Sequence, residues 1–466
     1  LAIVAVVGII LANGAVIFWP QEVVLFQMKD GRKLLAIERQ REKIPPGPAR
    51  EQGLLADPNR YLVMVGNRDL YGQDFVWLNH MDIQSTEVPA NAWVMERREY
   101  GNFIGYLKSL QLKDRQLEGR EAEAALPAAV DQAREIFEQI YKIEKIEIGK
   151  INARMEKARL EEIRAVKMLT GNPLVEQLKK IGDEKASLQK EYKTCLDRVA
   201  DLRKEGLLSK VEIMDVQGVS KALSLLNVID AWQPNRMGLA AKGAHYLEHL
   251  IGFLTDDPRE ANTEGGVFPA IFGTTIMVIL MSLAVVPFGV LTAFYLCEYA
   301  RQGFMVRVVR VALNNLAGVP SIVYGVFGLG FFVYFIGGGI DRLFYPEALP
   351  TPTWGTGGIL WASLTLAMLT VPVVVMATEE SITAVPRGMR EGSLALGASK
   401  FQTLCHILLP SSLPGILTGV ILAMARGAGE VAPLMITGVV KLAPSLPVDG
   451  RPPFIHLERK FMHLGF

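Results

Sequence analysis

Two charged residues, Arg426 and Glu430, interrupt the otherwise apolar stretch from 411 to 440. A spacing of four residues is about one helical turn, so a helix there would place both side chains on one face. Charged groups at membrane depth are costly unless they are paired or hydrated, and they usually face a bundle interior or a polar pathway. The planar fork of Arg426 suits bidentate binding of an oxyanion, with Glu430 restraining the guanidinium between binding events. The alternative is a self-neutralising pair that ties helices together.

A second group with possible chemistry is His245-Tyr-Leu-Glu248-His249, which matches the H-x-x-E-H zinc pattern of inverzincin peptidases. Histidines at i and i+4 on a helix can share a metal ion, with the glutamate as base. A peptidase also needs a third ligand in a water-filled cleft, and no such cleft is evident before the apolar stretch that begins at Val267. Short patterns of common residues arise by chance, so we predict no metal site. The chain also contains no Walker A motif, G-x-x-x-x-G-K-[ST].

The elements that must position these residues are long apolar stretches. Asp, Glu, Lys and Arg are absent from 267–297, 311–340 and 358–378, and 411–440 carries only the pair described above. Since about 20 apolar residues cross the hydrocarbon core of a bilayer, these stretches predict a polytopic α-helical membrane protein. Residues 1–19 form a further apolar run, which we interpret as a retained first transmembrane span rather than a signal peptide. Basic and acidic residues number 49 and 48, and this balance argues against a nucleic-acid surface.

The distribution of basic residues predicts the topology. Loops rich in Lys and Arg remain in the cytoplasm, and two connections qualify, the first with Arg301, Arg307 and Arg310 and the second with Arg387, Arg390 and Lys400. The connection between them carries one Arg against an Asp and a Glu, and therefore reads as external. Residues 20–260 are then extracytoplasmic, as one large insertion between the first and second spans.

This extracytoplasmic domain has two parts. Residues 20–125 mix short β-like runs with turn signals, which predicts a small α/β or mostly β region. From about 128 to 204, apolar residues recur at steps of three and four, with Lys185 as the one exception in the second half, and the sequence TGNP at 170–173 predicts a turn. We therefore expect an antiparallel helical hairpin. A spacer or docking scaffold and a specific ligand site are both open interpretations of it.

The connection at 379–411 predicts a helix-turn-helix that protrudes on the cytoplasmic side. Gly397 should break a helix there, and Pro410 and Pro414 should mark the return to the membrane. Apolar contacts come from Leu394, Leu396, Leu404, Ile407 and Leu408, and polar ones from Arg390, Glu391 and Lys400. A separate motor subunit could bind this surface. The alternative is an amphipathic helix that lies on the bilayer.

This connection resembles the cytoplasmic coupling loop of ABC-importer permeases, whose motif is E-A-A-x-x-x-G, nine residues, then I-x-L-P. Glu391, Gly397, Ile407, Leu409 and Pro410 meet every interval, whereas Gly392 and Ser393 replace the two alanines. Two further segments, NNLAGVPSIVYGVFG at 314–328 and ARGAGEVAPLMITG at 425–438, resemble the PstA permeases of phosphate importers. The resemblance covers roughly residues 265–466.

The resemblance implies a type I ABC-importer permease helical bundle over 261–466, with the extracytoplasmic domain inserted before it and one more span expected after residue 466. It implies a non-enzymatic subunit of an ATP-driven phosphate importer in the bacterial inner membrane, with residues 20–260 in the periplasm. The implied partners are membrane lipid, a PstC-like second permease, two PstB-like ATPase copies that bind ATP and Mg, and a periplasmic PstS-like phosphate-binding protein. No cofactor is expected in this chain.

The resemblance favours a transport role for Arg426 and Glu430, which would line the substrate pathway. Ser321, with Asn314 and Asn315, could supply neutral donors near Pro320, and the alternative is that these are polar residues that pack helices together. Met376 stands where shorter family members carry an arginine, so a pathway with two arginines from this subunit is in doubt. The alternatives are a permease for another tetrahedral oxyanion, sulfate or molybdate, and a membrane-anchored sensor.

Overall fold

The computed structural model describes residues 4–6, 8, 14, 16–44, 59–450 and 454–466. Most of the predicted first span, 1–19, therefore lies outside the described residues. The chain divides into two compact units, Leu1–Leu254 and Thr255–Phe466.

The first unit contains two antiparallel sheets. The strand order of one sheet is β4-β3-β2-β1-β5, with β1 Val23–Met28, β2 Lys33–Lys43, β3 Asn59–Met64, β4 Phe75–Asn79 and β5 Ile83–Glu87. The order of the other is β10-β9-β7-β6-β11, and β8 pairs with β7. Its strands are β6 Ala92–Arg97, β7 Phe103–Leu112, β8 Arg115–Glu118, β9 Lys210–Met214, β10 Ser220–Ser224 and β11 Val228–Trp232.

A long helical hairpin is inserted between β8 and β9. A four-residue helix, α1 Arg68–Tyr71, comes earlier in the unit; the hairpin consists of α2 Gly119–Lys142, a π-helical segment Ile143–Glu147, α3 Ile148–Met168 and the returning helix α4 Asn172–Leu207. The predicted hairpin is thus present and extends beyond 128–204 at both ends. Its base packs on the second sheet, where Leu126 and Val130 of α2 join Met95 and Phe103 in one core cluster.

The apolar stripe explains why the two hairpin arms remain together. Ile140, Ile143 and Val199 are buried in a shared cluster between them. Lys185, the exception in the stripe, forms an ion pair with Glu162 of the opposite arm. The one charged residue in the apolar stripe of the second arm is therefore paired with an opposite charge on the facing helix.

The second unit contains four helices that are long and apolar enough to cross a membrane, Phe268–Tyr299, Ser321–Phe344, Ile359–Ala384 and Lys400–Gly429. In detail, the helices after α5 (Leu239–Thr255) are α6 Phe268–Phe294, α7 Phe304–Ala317, α8 Ser321–Gly328, α9 Gly338–Phe344, α10 Ile359–Ala384, α11 Arg387–Ala395, α12 Lys400–Thr403, α13 Leu409–Gly429 and α14 Ala432–Thr437. π-Helical segments continue α6 at Tyr295–Tyr299, link α8 to α9 at Leu329–Gly337, and link α12 to α13 at Leu404–Leu408. Short strands β12 Pro258–Arg259 and β13 Glu264–Gly265 precede α6.

Two of these helices do not begin where the uncharged or nearly uncharged stretches of the sequence begin. The second span begins at Ser321 rather than Val311, because the residues before it form the separate helix α7, whose exposed residues include both apolar and charged side chains. The fourth begins at Lys400 rather than Ser411, because the helix that starts on the polar side continues without a break into the apolar stretch. Apolar length alone predicts that a span exists, whereas packing and capping decide where its helix begins.

The segment between α9 and α10 folds back on the spans. Asp341, fully buried, accepts hydrogen bonds from the backbone N–H groups of Trp354, at 2.9 and 3.1 Å, and Gly355, at 2.6 Å. The indole of Trp361 donates to the carbonyl oxygen of Trp354 at 2.8 Å. One of the two acidic residues in this predicted external loop is therefore a structural anchor.

Candidate transport and coupling sites

The coupling segment is a helix-turn-helix, as the sequence predicts, but it is shorter than 379–411. Residues 379–384 belong to α10, and residues 400–411 to the helix that runs from Lys400 to Gly429. The turn between α11 and α12 is made at Gly397, whose φ of +88° lies in the left-handed region that favours glycine. Ser399 then starts α12 with a capping box: its hydroxyl accepts from the Gln402 N–H at 3.2 Å, and the Gln402 side chain accepts from the Ser399 N–H at 2.8 Å.

Arg390 holds this segment against the spans. One guanidinium nitrogen lies 2.8 Å from the Glu298 carboxylate at the end of the first described span, in a close ion pair whose angle falls outside that of a hydrogen bond. The other terminal nitrogen donates to the carbonyl oxygen of Ile382, near the end of α10, at 2.8 Å. The charge of Arg390 is thus used inside the chain, and its predicted contact with the ATPase stays a prediction. Glu391 and Lys400 are exposed and free to meet a partner's surface.

Four large apolar side chains are exposed on the same short segment, and we refer to them as the exposed apolar patch. They are Met389, Leu394, Leu396 and Phe401, and Leu396 is 91% exposed. The sequence predicts Leu394 and Leu396 as contacts. Met389 and Phe401 are not predicted as contacts from the sequence. Phe401 follows the helix-capping Ser399 closely, and that capping pattern is a sequence signal that could have identified it.

The I-x-L-P residues of the motif lie within a long helix rather than at the turn. Ile407 and Leu409 are half-buried and Pro410 is exposed, all within the continuous helix Lys400–Gly429. The π-helical segment Leu404–Leu408 ends one residue before the Leu409–Pro410 pair, and a π-bulge is one way for a helix to tolerate a proline, which lacks an N–H and crowds the preceding turn. The helix passes through both Pro410 and Pro414, and their position at the return to the membrane stays a prediction.

Arg426 and Glu430 meet at the other end of this helix. The Arg426 Nε lies 3.7 Å from a Glu430 carboxylate oxygen, and the two side chains are 34% and 23% exposed. They do not share a helical face, because α13 ends at Gly429 and Glu430 is already extended, at φ −85° and ψ 127°. Within the described residues the guanidinium makes no hydrogen bond, so its donors remain available for an anion.

Close helix packing surrounds the Arg426 end. A Cβ at Gly427 would lie 2.6 Å from the Met281 sulfur of α6, and a Cβ at Gly325 in α8 would lie 2.7 Å from the Pro433 backbone of α14. Tyr324, also in α8, is buried and within electrostatic reach of Arg426. Helix α13 thus packs closely on α6 beside Arg426, and α8 packs closely on α14.

The other predicted pathway residues form no hydrogen bond or ion pair with Arg426 in the part of the chain that the structure describes. Asn315 is exposed near the end of α7, and Ser321 is half-buried as the first residue of α8. Met376 is 37% exposed on α10. The roles of Ser321 and Asn315 remain predictions.

The histidine motif does gain a third partner, upstream rather than downstream. Asp230 on β11 places Oδ2 3.1 Å from the Nε2 of His245 and 3.2 Å from the Nε2 of His249, both on α5. Glu248, the base in a peptidase, is exposed. Burial alone would raise the pKa of Asp230, but the two histidines outweigh it and hold that pKa well below its usual range. Burial opposes charge on His249 too, yet Asp230 and Glu96 raise its pKa.

Comparison with known proteins defines the class. Residues 285–445 match the family described as "Binding-protein-dependent transport system inner membrane component". The chain is 32% identical over 204 residues to the probable ABC transporter permease protein YqgH of Bacillus subtilis (43% of this chain, 62% of the relative). A structure of the MetNI methionine ABC transporter aligns with 21% identity over 35% of this chain and 68% of that chain, at a TM-score of 0.27. By sequence, the family model and the relative indicate the class of ABC transporter permeases.

The particular family follows from two further relatives. The phosphate transport system permease protein PstA of Pasteurella multocida is 32% identical over 212 residues (46% of this chain, 69% of the relative). PstA 1 of Mycobacterium tuberculosis (strain CDC 1551 / Oshkosh) is 37% identical over 172 residues (37% of this chain, 51% of the relative). The chain belongs to the PstA family of phosphate transport system permease proteins. It spans about half to two thirds of the length of these curated relatives.

Proposed function

We propose that this chain is the transmembrane permease subunit of an ATP-driven phosphate importer, where it forms half of the translocation pathway. The observation that carries the proposal is the Arg426 guanidinium. It makes no hydrogen bond within the described residues, lies 3.7 Å from one carboxylate, and stands beside the close packing of α13 on α6 in a chain of the PstA family. A planar guanidinium can bind a phosphate oxyanion through two parallel hydrogen bonds.

A second permease of the PstC kind supplies the other half of the pathway, and a periplasmic PstS-like protein delivers phosphate. The exposed apolar patch, with Glu391 and Lys400 beside it, docks into a separate PstB-like ATPase dimer, which binds ATP and Mg and carries out hydrolysis. The protein resides in the bacterial inner membrane, with residues 20–260 in the periplasm. Leu396 and Phe401 support this coupling role because both are exposed, and an exposed apolar patch commonly marks a protein–protein interface.

The test measures uptake of labelled phosphate at micromolar concentration by cells that carry Arg426→Gln, Glu430→Gln or both. If Arg426 binds the anion, the arginine variant loses uptake whether or not Glu430 is neutralised. Loss of a charge-assisted hydrogen bond, worth about 1.5–3 kcal/mol, corresponds to a fall of at least tenfold. Membrane abundance is measured beside uptake, so that misfolding is separated from lost transport.

Two outcomes would contradict the proposal. Normal phosphate uptake by an abundant double variant would reduce the pair to a tie between segments, since neutralising both partners leaves neither charge unpaired. The second outcome concerns the unmodified strain. If excess sulfate or molybdate blocks its uptake of labelled phosphate, the pathway belongs to a different oxyanion.

A further inference from the structure

We propose that Asp230, His245 and His249 form a binding site for one divalent transition-metal ion, zinc in the first instance. Imidazole nitrogens with one carboxylate oxygen are a common zinc donor set. The three groups come from two elements: Asp230 from the edge strand β11, and the histidines from successive turns of α5. The candidate ligand atoms of all three residues lie within 4.8 Å of one another.

The separations fit a shared ion. Two ligands at about 2.0–2.1 Å from a tetrahedral zinc are roughly 3.3–3.4 Å apart, by geometry. The Asp230 Oδ2 lies 3.1 Å from His245 Nε2 and 3.2 Å from His249 Nε2. Asp230 presents that oxygen alone, because its Oδ1 accepts the Ala231 N–H at 2.7 Å. The carboxylate is thus oriented as a single-oxygen ligand.

His245 carries the strongest sign of a missing partner. Its side chain is 11% exposed, and within the described residues neither ring nitrogen makes a hydrogen bond. Its Nε2 is close to Asp230 but outside hydrogen-bond geometry, so both ring nitrogens lack a hydrogen-bond partner in a largely buried place. A buried polar atom without a partner costs free energy, and a metal ion between the two groups would satisfy it.

A second carboxylate argues for positive charge at the same place. Glu96 on β6 is the register partner of Asp230 across the sheet, so both side chains project on the same face, where directly opposed like charges are unfavourable. Its Oε2 lies 3.7 Å from His249 Nδ1. That placement matches the carboxylate–histidine–metal arrangement, in which an outer carboxylate orients the ligand ring so that its other nitrogen faces the ion. The Trp232 ring, 4.6 Å from that of His245, walls the other side.

The site also has a structural reason. Helix α5 has no fully buried residue, so apolar burial contributes little to fixing it. A metal ion shared with β11 would attach the helix to the sheet. Because Glu248 is exposed while Asp230 supplies the third ligand, the arrangement favours a structural or regulatory ion over peptide hydrolysis.

The experiment uses the full chain purified in detergent, stripped with a chelator and titrated with zinc chloride against a chromogenic competitor. We expect one zinc per chain, retained through dialysis. His245→Gln, His249→Gln and Asp230→Asn should each lose that stoichiometric zinc. The matched control is Glu248→Gln, a neighbour on the same helix, which should bind as the unmodified chain does.

Since the ligand variants could lose zinc through misfolding, a further variant changes a residue that contacts a ligand without being one. Glu96→Gln leaves all three ligands in place and should lower zinc affinity by about 10- to 100-fold. His406→Gln, an exposed histidine elsewhere in the chain, controls for adventitious binding and should change nothing. Substoichiometric zinc in the unmodified chain would overturn the proposal outright, and so would zinc binding by the His245→Gln and His249→Gln variants that equals that of the unmodified chain. A hydrogen-bonded ion cluster without metal predicts the first of these results.

Discussion

Arg390 offers the sharpest test of how the coupling segment is held. If its task is to fasten α11 to the spans, then Glu298→Gln should weaken the same attachment, although Glu298 lies in a different part of the sequence and outside the coupling motif. If Arg390 instead contacts the ATPase directly, Glu298→Gln should be nearly silent while Arg390→Gln is severe. The two single variants and the double variant together form a cycle that separates these cases.

The structure sets the magnitude. Two charges 2.8 Å apart attract by about 6 kcal/mol at an effective dielectric constant of 20. Desolvation offsets most of this, and the side chains are 27% and 21% exposed, so the net contribution is about 1–2 kcal/mol. Arg390 also donates to the Ile382 carbonyl oxygen, and a hydrogen bond from a charged group is worth about 1.5–3 kcal/mol. Arg390→Gln should therefore cost more than Glu298→Gln.

Amide hydrogen exchange across α11 measures the attachment without requiring transport. A loss of 1–2 kcal/mol speeds exchange by about 5- to 30-fold, and the double variant should exchange no faster than Arg390→Gln alone. Exchange across α10 provides the internal control and should not change. An unaltered α11 in the Glu298→Gln protein would refute the assignment of Arg390 as an internal fastener.

Three further outcomes are expected. Gly397→Ala should reduce ATPase co-purification and phosphate uptake without loss of membrane abundance, because φ +88° strains any residue with a Cβ; normal uptake would remove the turn from coupling. Leu188→Ala in α4, where the side chain is 0% exposed, should lower the free energy of unfolding by about 2–5 kcal/mol in thermal or urea melts, whereas Leu196→Ala, at 43% exposure, should cost far less. In cells stripped of their outer membrane, an impermeant thiol reagent should label Glu121→Cys but not Ser399→Cys in a cysteine-free background, both positions being exposed; the opposite labelling would invert the topology.

The coupling segment shows how far a local motif carries. The Gly397 turn and the exposed Leu394 and Leu396 are predictable, because turn chemistry and apolar spacing act over a few residues. The ion pair of Arg390 is not, because its partner Glu298 lies at the end of the first described span, far away in sequence. The continuous helix through Pro410 is not predictable from the proline either, because the π-helical segment before it accommodates the ring.

The membrane class, the four apolar helices of the second unit and the hairpin of the first are predictable from the sequence, since each depends on hydrophobic length or period along one continuous stretch. The family is recognisable from short motifs with fixed intervals. Which charges meet depends on the folded chain. Asp230 lies beside His245 and His249 because a sheet edge packs against a helix. Glu430 does not share a helical face with Arg426 because α13 ends at Gly429. Contacts between distant segments depend on how whole helices and strands pack, and the periodic pattern of one segment does not indicate which other segment it packs against.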